Sequence, residues 1–171
     1  MNIFLVGPMG AGKSTIGLLL SKELNSTFYD IDKVIEERAG ANIPWIFDIE
    51  GEVGFRLREE QTIEELTLLS PTIIATGGGA VLGANNRINL AERGVVVYLK
   101  ATVAQQLERT SKDKNRPLLQ TTSPRKVLTD LMRVREPLYE QLSDITIFTD
   151  KRHTRSVVSE ILKKLKDENH L

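Results

Sequence analysis

Residues 7–14 carry the clearest chemical signal in the chain. They read Gly-Pro-Met-Gly-Ala-Gly-Lys-Ser and satisfy the phosphate-loop pattern G-x-x-x-x-G-K-[ST] at every fixed position. Glycines let the backbone wrap closely, so that several N–H groups can point at one phosphate. Lys13 can reach the β- and γ-phosphates, and the Ser14 hydroxyl can bind Mg²⁺. The segment therefore predicts a nucleoside-triphosphate site rather than a glycine-rich turn with an exposed lysine.

Acidic residues follow the second predicted strand, residues 27–30. Asp30 and Asp32 stand two positions apart, which suits one metal role and one substrate role. An acid that ends a strand beside a phosphate loop is the usual holder of magnesium in nucleotide-dependent kinases, so we assign the metal role to Asp30. Asp32 has a structural alternative, because it begins a helix predicted over residues 32–38 and could cap it.

Three consecutive glycines, Gly77, Gly78 and Gly79, follow the third predicted strand, residues 72–76. A flexible hinge would be costly at the end of a buried strand, whereas close approach of a ligand to the backbone explains the run. The run is not a dinucleotide fingerprint, because the pattern G-x-G-x-x-G fails at Leu82.

The elements that must position these residues alternate regularly. Residues 3–6 form the strand before the phosphate loop, and the last two strands are predicted at residues 95–99 and 145–149. Helices are predicted from Lys13 onward and near residues 52–69, 85–92, 102–110, 123–135 and 154–166. Pro137 is expected to end the helix at 123–135. Such alternation predicts a parallel sheet with right-handed crossovers, hence a three-layer α/β/α domain.

Composition narrows the possible classes of protein. A chain of 171 residues is most simply one domain, residues 1–171. The absence of cysteine excludes disulfides and thiolate metal sites, and no apolar run approaches the roughly 20 residues that cross a bilayer. We expect no signal peptide, since Met1 and Asn2 lead straight into the first strand, and therefore a cytoplasmic protein. A net charge of zero argues against general nucleic-acid binding.

Charge is nevertheless unevenly distributed along the chain. Residues 23–65 hold twelve acids and four bases, whereas residues 100–137 hold nine bases and four acids. This segregation fits a site in which an acidic, metal-binding part faces a basic, phosphate-binding part. Two differently charged solvated faces would give the same pattern.

Two enzyme classes compete at this point, a small-molecule kinase and a GTPase switch. Residues 48–51 match the switch motif D-x-x-G, but Pro44 makes the preceding run a poor central strand, and the chain contains no N-K-x-D motif to read guanine. The polar stretch with Lys112, Lys114 and Arg116 predicts a lid that excludes water from the γ-phosphate, which a kinase needs. A non-catalytic nucleotide-binding module would have no use for it. These features favour the kinase.

The ordered set of motifs resembles the shikimate kinase family from the first strand to the last helix. The matching segments are GPMGAGKST at 7–15, FYDID at 28–32, IFDIEGEVGFR at 46–56, ATGGG at 75–79, RPLL at 116–119 and REPLY at 135–139. The resemblance implies a P-loop domain with strand order 2-3-1-4-5, a substrate-binding region at about residues 32–62 and a lid at about 111–123. It also implies a monomer that uses ATP and one Mg²⁺ to convert shikimate into shikimate 3-phosphate and ADP, in chorismate and aromatic amino-acid biosynthesis, without nucleic-acid or membrane partners.

The resemblance further implies the roles of individual residues. Arg56 and Arg135 would hold the shikimate carboxylate, and the backbone at Gly77, Gly78 and Gly79 would complete the acceptor site. Asp32 would hydrogen-bond the shikimate hydroxyls. It is the catalytic candidate for the base that takes the proton of the attacking hydroxyl, with orientation of that hydroxyl as its first role. ATP would lie on Gly10, Ala11, Gly12, Lys13, Ser14 and Thr15, with Arg109 and Arg152 beside the adenine. Lys13 and Arg116 would neutralise the transferring phosphoryl group, and Ser14 and Asp30 would hold Mg²⁺.

One alternative stays open within the same fold: a kinase for another small polyol acid, such as gluconate. It would give no reason for Arg56 and Arg135 together with three glycines. The chain also departs from several relatives at Leu57, where they carry a polar residue, outside the implied sites.

Overall fold

A computed structural model describes residues 1–111 and 119–171 of the chain. Within these ranges the strands are β1 (Ile3–Val6), β2 (Thr27–Asp30), β3 (Thr72–Ala75), β4 (Val95–Lys100) and β5 (Ile145–Phe148). They form one parallel sheet in the order β2-β3-β1-β4-β5. Each strand lies where the sequence predicts it, to within one residue at its end, and the expected strand order is confirmed.

The described helices are α1 (Lys13–Glu23), α2 (Ile31–Ala39), α3 (Ile43–Leu66), α4 (Ala84–Arg93), α5 (Val103–Thr110), α6 (Pro124–Leu142) and α7 (Thr154–Asp167). One turn of 3₁₀ helix, Ala80–Leu82, connects the glycine run to α4. In the described ranges no helix combines the length and the apolar character that crossing a bilayer demands.

Helices cover both faces of the sheet, as a three-layer α/β/α domain requires. On one face α1 and α7 pack around Leu5, and on the other α2, α3, α4 and α6 pack around Phe4. These two neighbours in β1 point to opposite faces because side chains alternate along a strand. β1 is buried along its whole length, which explains its continuous apolar sequence.

The prediction that Pro137 ends a helix is wrong, since α6 continues through it to Leu142. A proline inside a helix removes one N–H donor and crowds the carbonyl four residues earlier. Here the residues beyond it offset that cost, because Leu138, Tyr139 and Leu142 all pack into the core beside α3. Burial therefore outweighs the local preference.

Helix α3 also begins earlier than predicted, at Ile43 rather than near Glu52, and ends at Leu66 rather than Leu69. Asn42 caps its start, accepting a hydrogen bond from the Trp45 N–H at 2.9 Å. The helix breaks at Gly51, where φ is 70° and ψ is 180°. The run with Pro44 is thus the first segment of a kinked helix, and the objection to a central strand there is upheld.

Candidate active site

The phosphate loop connects β1 to α1 at the carboxyl edge of the sheet. Gly10 and Gly12 have φ angles of 80° and 89°, a region that side chains disfavour, so glycine is required at both turns. The Ala11 N–H donates to the Pro8 carbonyl at 3.3 Å and closes the loop. The Lys13 Nζ donates to the carbonyls of Gly7 and Pro8 at 2.7 and 2.8 Å, which holds the ammonium over the loop. The arrangement is that of an anion-binding nest at a helix N-terminus.

A cleft of about 390 Å³ opens in front of this loop. Its lining brings together many of the predicted site residues, namely Gly10, Gly12, Lys13, Ser14, Thr15, Asp30, Asp32, Gly77, Gly78 and Arg109. These residues come from four separate segments of the sequence. They meet because the carboxyl ends of parallel strands share one edge of the sheet.

The two aspartates at the end of β2 make different contacts. Asp30 is the N-cap of α2, accepting from the Lys33 N–H at 3.3 Å, and its second carboxylate oxygen accepts the Ser14 hydroxyl. The alternative reading of Asp32 as the helix cap is therefore wrong. Asp32 lies inside the first turn of α2 and faces the glycine run, leaving its carboxylate beside the cleft.

Each glycine of the run is overlaid by one predicted acceptor-binding side chain. A Cβ on Gly77 would lie 2.9 Å from Asp32 Oδ1, one on Gly78 would lie 3.4 Å from Arg135 Nη1, and one on Gly79 would lie 2.3 Å from Arg56 Nη2. Gly77 and Gly79 therefore make room for Asp32 and Arg56, whereas a Cβ on Gly78 would be in ordinary van der Waals contact with Arg135. The groups that closely approach this backbone are the protein's own side chains, whereas approach of a ligand, the reason expected from the sequence, stays a prediction.

Arg56 is fixed by carboxylates on its own helix. Its Nη1 donates to Glu59 Oε1 at 2.9 Å, and its Nη2 lies 3.3 Å from Glu52 Oε1. Glu59 is fully buried, and this burial raises its pKa to about 7 against the lowering effect of the Arg56 cation. The buried carboxylate orients the guanidinium, which lies against Gly79 and lines a separate hollow between α3 and the start of α4.

Glu59 escaped the sequence analysis, although a signal was present. The buried positions after the kink of α3 are Phe55, Glu59, Thr62, Ile63 and Leu66. That spacing is the apolar stripe of an amphipathic helix, in which a glutamate is out of place unless it is paired. An arginine three residues before it, on the neighbouring part of the same face, supplies the pairing.

Arg135 contributes a buried cation beside Gly78. It is 4% exposed, and burial, together with the nearby Arg56 cation, lowers its pKa. Arginine still keeps its charge at neutral pH. Two guanidinium groups beside one backbone segment at the edge of a cleft can receive a planar carboxylate.

A smaller hollow of about 270 Å³ adjoins the phosphate loop on the side of α7. Gly12, Thr15, Arg109 and Arg152 line it, so the predicted adenine residues lie together. Arg109 donates to the carbonyls of Gly10 and Thr149 at 2.9 and 3.2 Å. Arg152 donates to the Phe148 carbonyl at 2.9 Å and pairs with Glu160. These hydrogen bonds and the ion pair hold both guanidinium groups against the walls of the hollow.

Arg116 lies outside the described residues, so its predicted role stays a prediction, and most of the predicted lid lies outside them as well. At the described end of that segment, Leu119 is buried against Met9 of the phosphate loop and Leu128 of α6. Leu119 thus lies directly beside the phosphate loop.

The phosphate loop after β1 and the parallel 2-3-1-4-5 sheet define a P-loop kinase fold. The fold is shared with a gluconokinase structure from Sinorhizobium meliloti, which has 16% sequence identity, a TM-score of 0.65, and coverage of 97% of this chain and 91% of that one. At that identity the likeness concerns the fold alone.

The chain belongs to the shikimate kinase family, whose model matches residues 9–166. The chain is 55% identical to the shikimate kinase of Haemophilus influenzae over 171 residues, which cover 99% of this chain and 95% of that protein. The structure of shikimate kinase from Acinetobacter baumannii in complex with shikimate superimposes with a TM-score of 0.96, at 49% identity, over 98% of this chain and 93% of that one. The chain is accordingly an enzyme, a kinase.

Proposed function

We propose that this enzyme transfers the γ-phosphoryl group of ATP to the 3-hydroxyl of shikimate, giving shikimate 3-phosphate and ADP for aromatic biosynthesis. The observation that carries the proposal is the meeting of Asp32, Arg135 and Arg56 on three consecutive glycines beside a phosphate loop. Two arginines suit a carboxylate, an aspartate suits hydroxyls, and the adjoining loop suits a nucleotide.

The acceptor would lie with its carboxylate between Arg56 and Arg135. Charge-assisted bonds from planar guanidinium groups fix both position and orientation of a carboxylate. Asp32 would then accept hydrogen bonds from the acceptor hydroxyls and aim one of them at the γ-phosphorus. Phosphoryl transfer is governed mainly by positioning and charge, so orientation is the main role we give to Asp32.

ATP would bind with its phosphates on residues 10–15 and its adenine in the hollow between Arg109 and Arg152. Lys13 would release part of its bonding to the Gly7 and Pro8 carbonyls and stabilise the charge on the transferring group. We retain Arg116 as the lid cation of this proposal, on the strength of its sequence position alone.

Ser14 and Asp30 fit a magnesium ion. They present a hydroxyl and a carboxylate oxygen in hydrogen-bond contact, and Mg²⁺ prefers few protein oxygens, keeping water and phosphate oxygens as its other ligands. The bound ion would supply charge neutralisation on the β- and γ-phosphates. Ser14 would contact it directly, with Asp30 beside it.

One chain supplies the phosphate loop, both aspartates and both arginines, so we propose that a monomer is sufficient for activity. Light scattering after gel filtration should then give a mass near 19.2 kDa. An active species found only at twice that mass would contradict this part of the proposal.

A coupled ADP-release assay tests the function. MgATP is supplied with shikimate, gluconate, a nucleoside monophosphate or no acceptor, and the product is located by phosphorus–proton NMR. We expect turnover with shikimate and a phosphate on its 3-hydroxyl. Turnover with a different acceptor would leave the proposed ATP site intact but overturn the roles of Arg56 and Arg135. Hydrolysis of the nucleotide without any acceptor would instead favour the GTPase switch considered in the sequence analysis.

A further inference from the structure

Tyr139 is a buried tyrosine that contacts the glycine run from behind. It lies one helical turn after Arg135 in α6 and is fully buried. Its hydroxyl donates to the Gly78 carbonyl, and its ring stacks on Tyr98 of β4 at 5.0 Å with an interplanar angle of 27°. A rigid pair of rings therefore holds this hydroxyl in place.

The three carbonyls of the glycine run are not satisfied in the same way. Those of Gly77 and Gly79 accept the N–H groups of Ala80 and Leu82, each at 3.1 Å, within the following 3₁₀ turn. The Gly78 carbonyl is held by a side chain, that of Tyr139. Loss of the hydroxyl would leave a partly buried acceptor without this hydrogen bond at the centre of the run, which costs stability.

The position of Gly78 makes that bond consequential. A Cβ on Gly78 would lie 3.4 Å from Arg135 Nη1 and 3.4 Å from the Met9 nitrogen, so this residue sits where the acceptor arginine meets the phosphate loop. A trans peptide is planar, with its oxygen and hydrogen on opposite sides. Fixing the Gly78 oxygen toward Tyr139 thus turns the Gly79 N–H away from Tyr139. Because glycine restricts its own backbone little, the Tyr139 bond restrains the Gly78–Gly79 peptide in addition to the bonds made by the Gly77 and Gly79 carbonyls.

We propose that Tyr139 is a positioning residue for the acceptor, which orients the Gly78–Gly79 peptide and supports Arg135 before the acceptor arrives. The inference rests on the acceptor site proposed above. Burial raises the pKa of Tyr139 while the Arg135 cation opposes the rise, and the hydroxyl stays protonated as the donor that the Gly78 carbonyl requires.

Tyr98 offers a matched control for this role. It is equally buried in the same stacked pair, but within the described residues its hydroxyl has no hydrogen-bond partner and lies near Glu136 instead of the glycine run. Tyr139→Phe and Tyr98→Phe each remove one buried hydroxyl and keep both rings. Packing losses should therefore be similar, whereas orientation of the Gly78–Gly79 peptide is lost in Tyr139→Phe alone.

The test compares KM for shikimate and KM for MgATP in the unaltered enzyme and both variants. We expect Tyr139→Phe to raise the KM for shikimate by about tenfold, the value of one buried hydrogen bond, while the KM for MgATP stays within about twofold. Tyr98→Phe should leave both constants within about twofold. An unchanged KM for shikimate in Tyr139→Phe, or equal shifts in the two variants, would overturn the inference. Absence of shikimate turnover in the unaltered enzyme would instead overturn the proposed function.

A second measurement decides the matter should Tyr139→Phe fail to fold. With uniform ¹⁵N labelling of the unaltered enzyme, the Gly79 amide should be as rigid as the amides of the sheet before any acceptor is added. A mobile Gly79 amide that becomes ordered with acceptor would contradict positioning by Tyr139.

Discussion

Buried charge is concentrated on the acceptor side of the site. Glu59 is fully buried and Arg135 nearly so, and Arg56 pairs with the first and lies near the second. Buried ion pairs contribute little net stability, because desolvation consumes most of the attraction. A hydrophobic cluster in the same place would serve the fold at least as well. We therefore interpret these charged residues as serving acceptor binding at some cost in folding stability.

The pH dependence of stability should reveal Glu59. Its pKa in the folded protein is raised from 4.5 to about 7, so between these values the folded state keeps a proton that the unfolded chain releases. The stabilisation is complete below pH 4.5 and is lost as the pH rises to 7, by about 3 kcal/mol at most. Urea unfolding from pH 4.5 to 8 should show this slope in the unaltered enzyme but not in Glu59→Gln.

Glu64→Gln is the control for that series, because it changes an exposed glutamate of the same helix. Parallel pH profiles for the unaltered enzyme and Glu59→Gln would show that Glu59 does not hold a proton in the folded state.

Lys13 should matter for transfer far more than for folding. Its ammonium bonds to two carbonyls of the loop that must receive ATP, and replacing it by methionine keeps the length of the buried stem. Lys13→Met is expected to lower kcat by about 10²- to 10³-fold, as loss of one charge-stabilising group does. Lys22→Met, at an exposed position of α1, should leave kcat unchanged. A near-normal kcat for Lys13→Met, with melting temperature preserved, would refute the phosphate-loop assignment.

At the scale of elements, the kink in α3 shapes the acceptor side. Gly51 separates two helical segments, and Phe47 before it packs on Phe55 after it, with ring centroids 5.0 Å apart. Arg56 directly follows Phe55. The kink thus sets where the guanidinium stands relative to the glycine run. From sequence, a helix after Gly51 was foreseeable, but the helical start at Ile43 was not, because the core contacts that favour it come from distant segments.

Gly51→Ala tests the kink. A backbone with φ of 70° and ψ of 180° is essentially restricted to glycine, so alanine should cost about 1–3 kcal/mol in urea unfolding and raise the KM for shikimate. Gly40→Ala is the matched control, because a Cβ added at Gly40 or at Gly51 would have no atom within 4 Å. Gly40 has an ordinary left-handed conformation, for which about 1 kcal/mol is expected, with KM unaffected. Equal losses of stability would contradict a special role for Gly51.

At the scale of the whole molecule, the segregated charges meet at one edge of the sheet. The acidic segment supplies Asp30 and Asp32, and the basic segment supplies Arg109 and Arg135. Alternating apolar strands and helices were sufficient to predict the parallel sheet. The order of its strands came from family resemblance, because hydrophobic period alone does not say which strands are neighbours. Side-chain partners such as Tyr139 with Gly78, 61 residues apart, depend on that order and were out of reach.

Recognition of the acceptor carboxylate is the central claim, and comparing shikimate with its methyl ester tests it most directly. The two acceptors differ in the charge that Arg56 and Arg135 would bind, and their ratio of kcat/KM is measured in one protein, so differences in folding cancel. The unaltered enzyme should prefer shikimate by about two orders of magnitude or more, and Arg56→Ala should reduce that preference by at least about tenfold. Arg58→Ala is the control. Arg58 lies two residues after Arg56 in α3 and pairs with Glu50 at the surface, so its loss should leave the preference for shikimate intact. Equal kcat/KM for shikimate and its methyl ester in the unaltered enzyme would contradict the account.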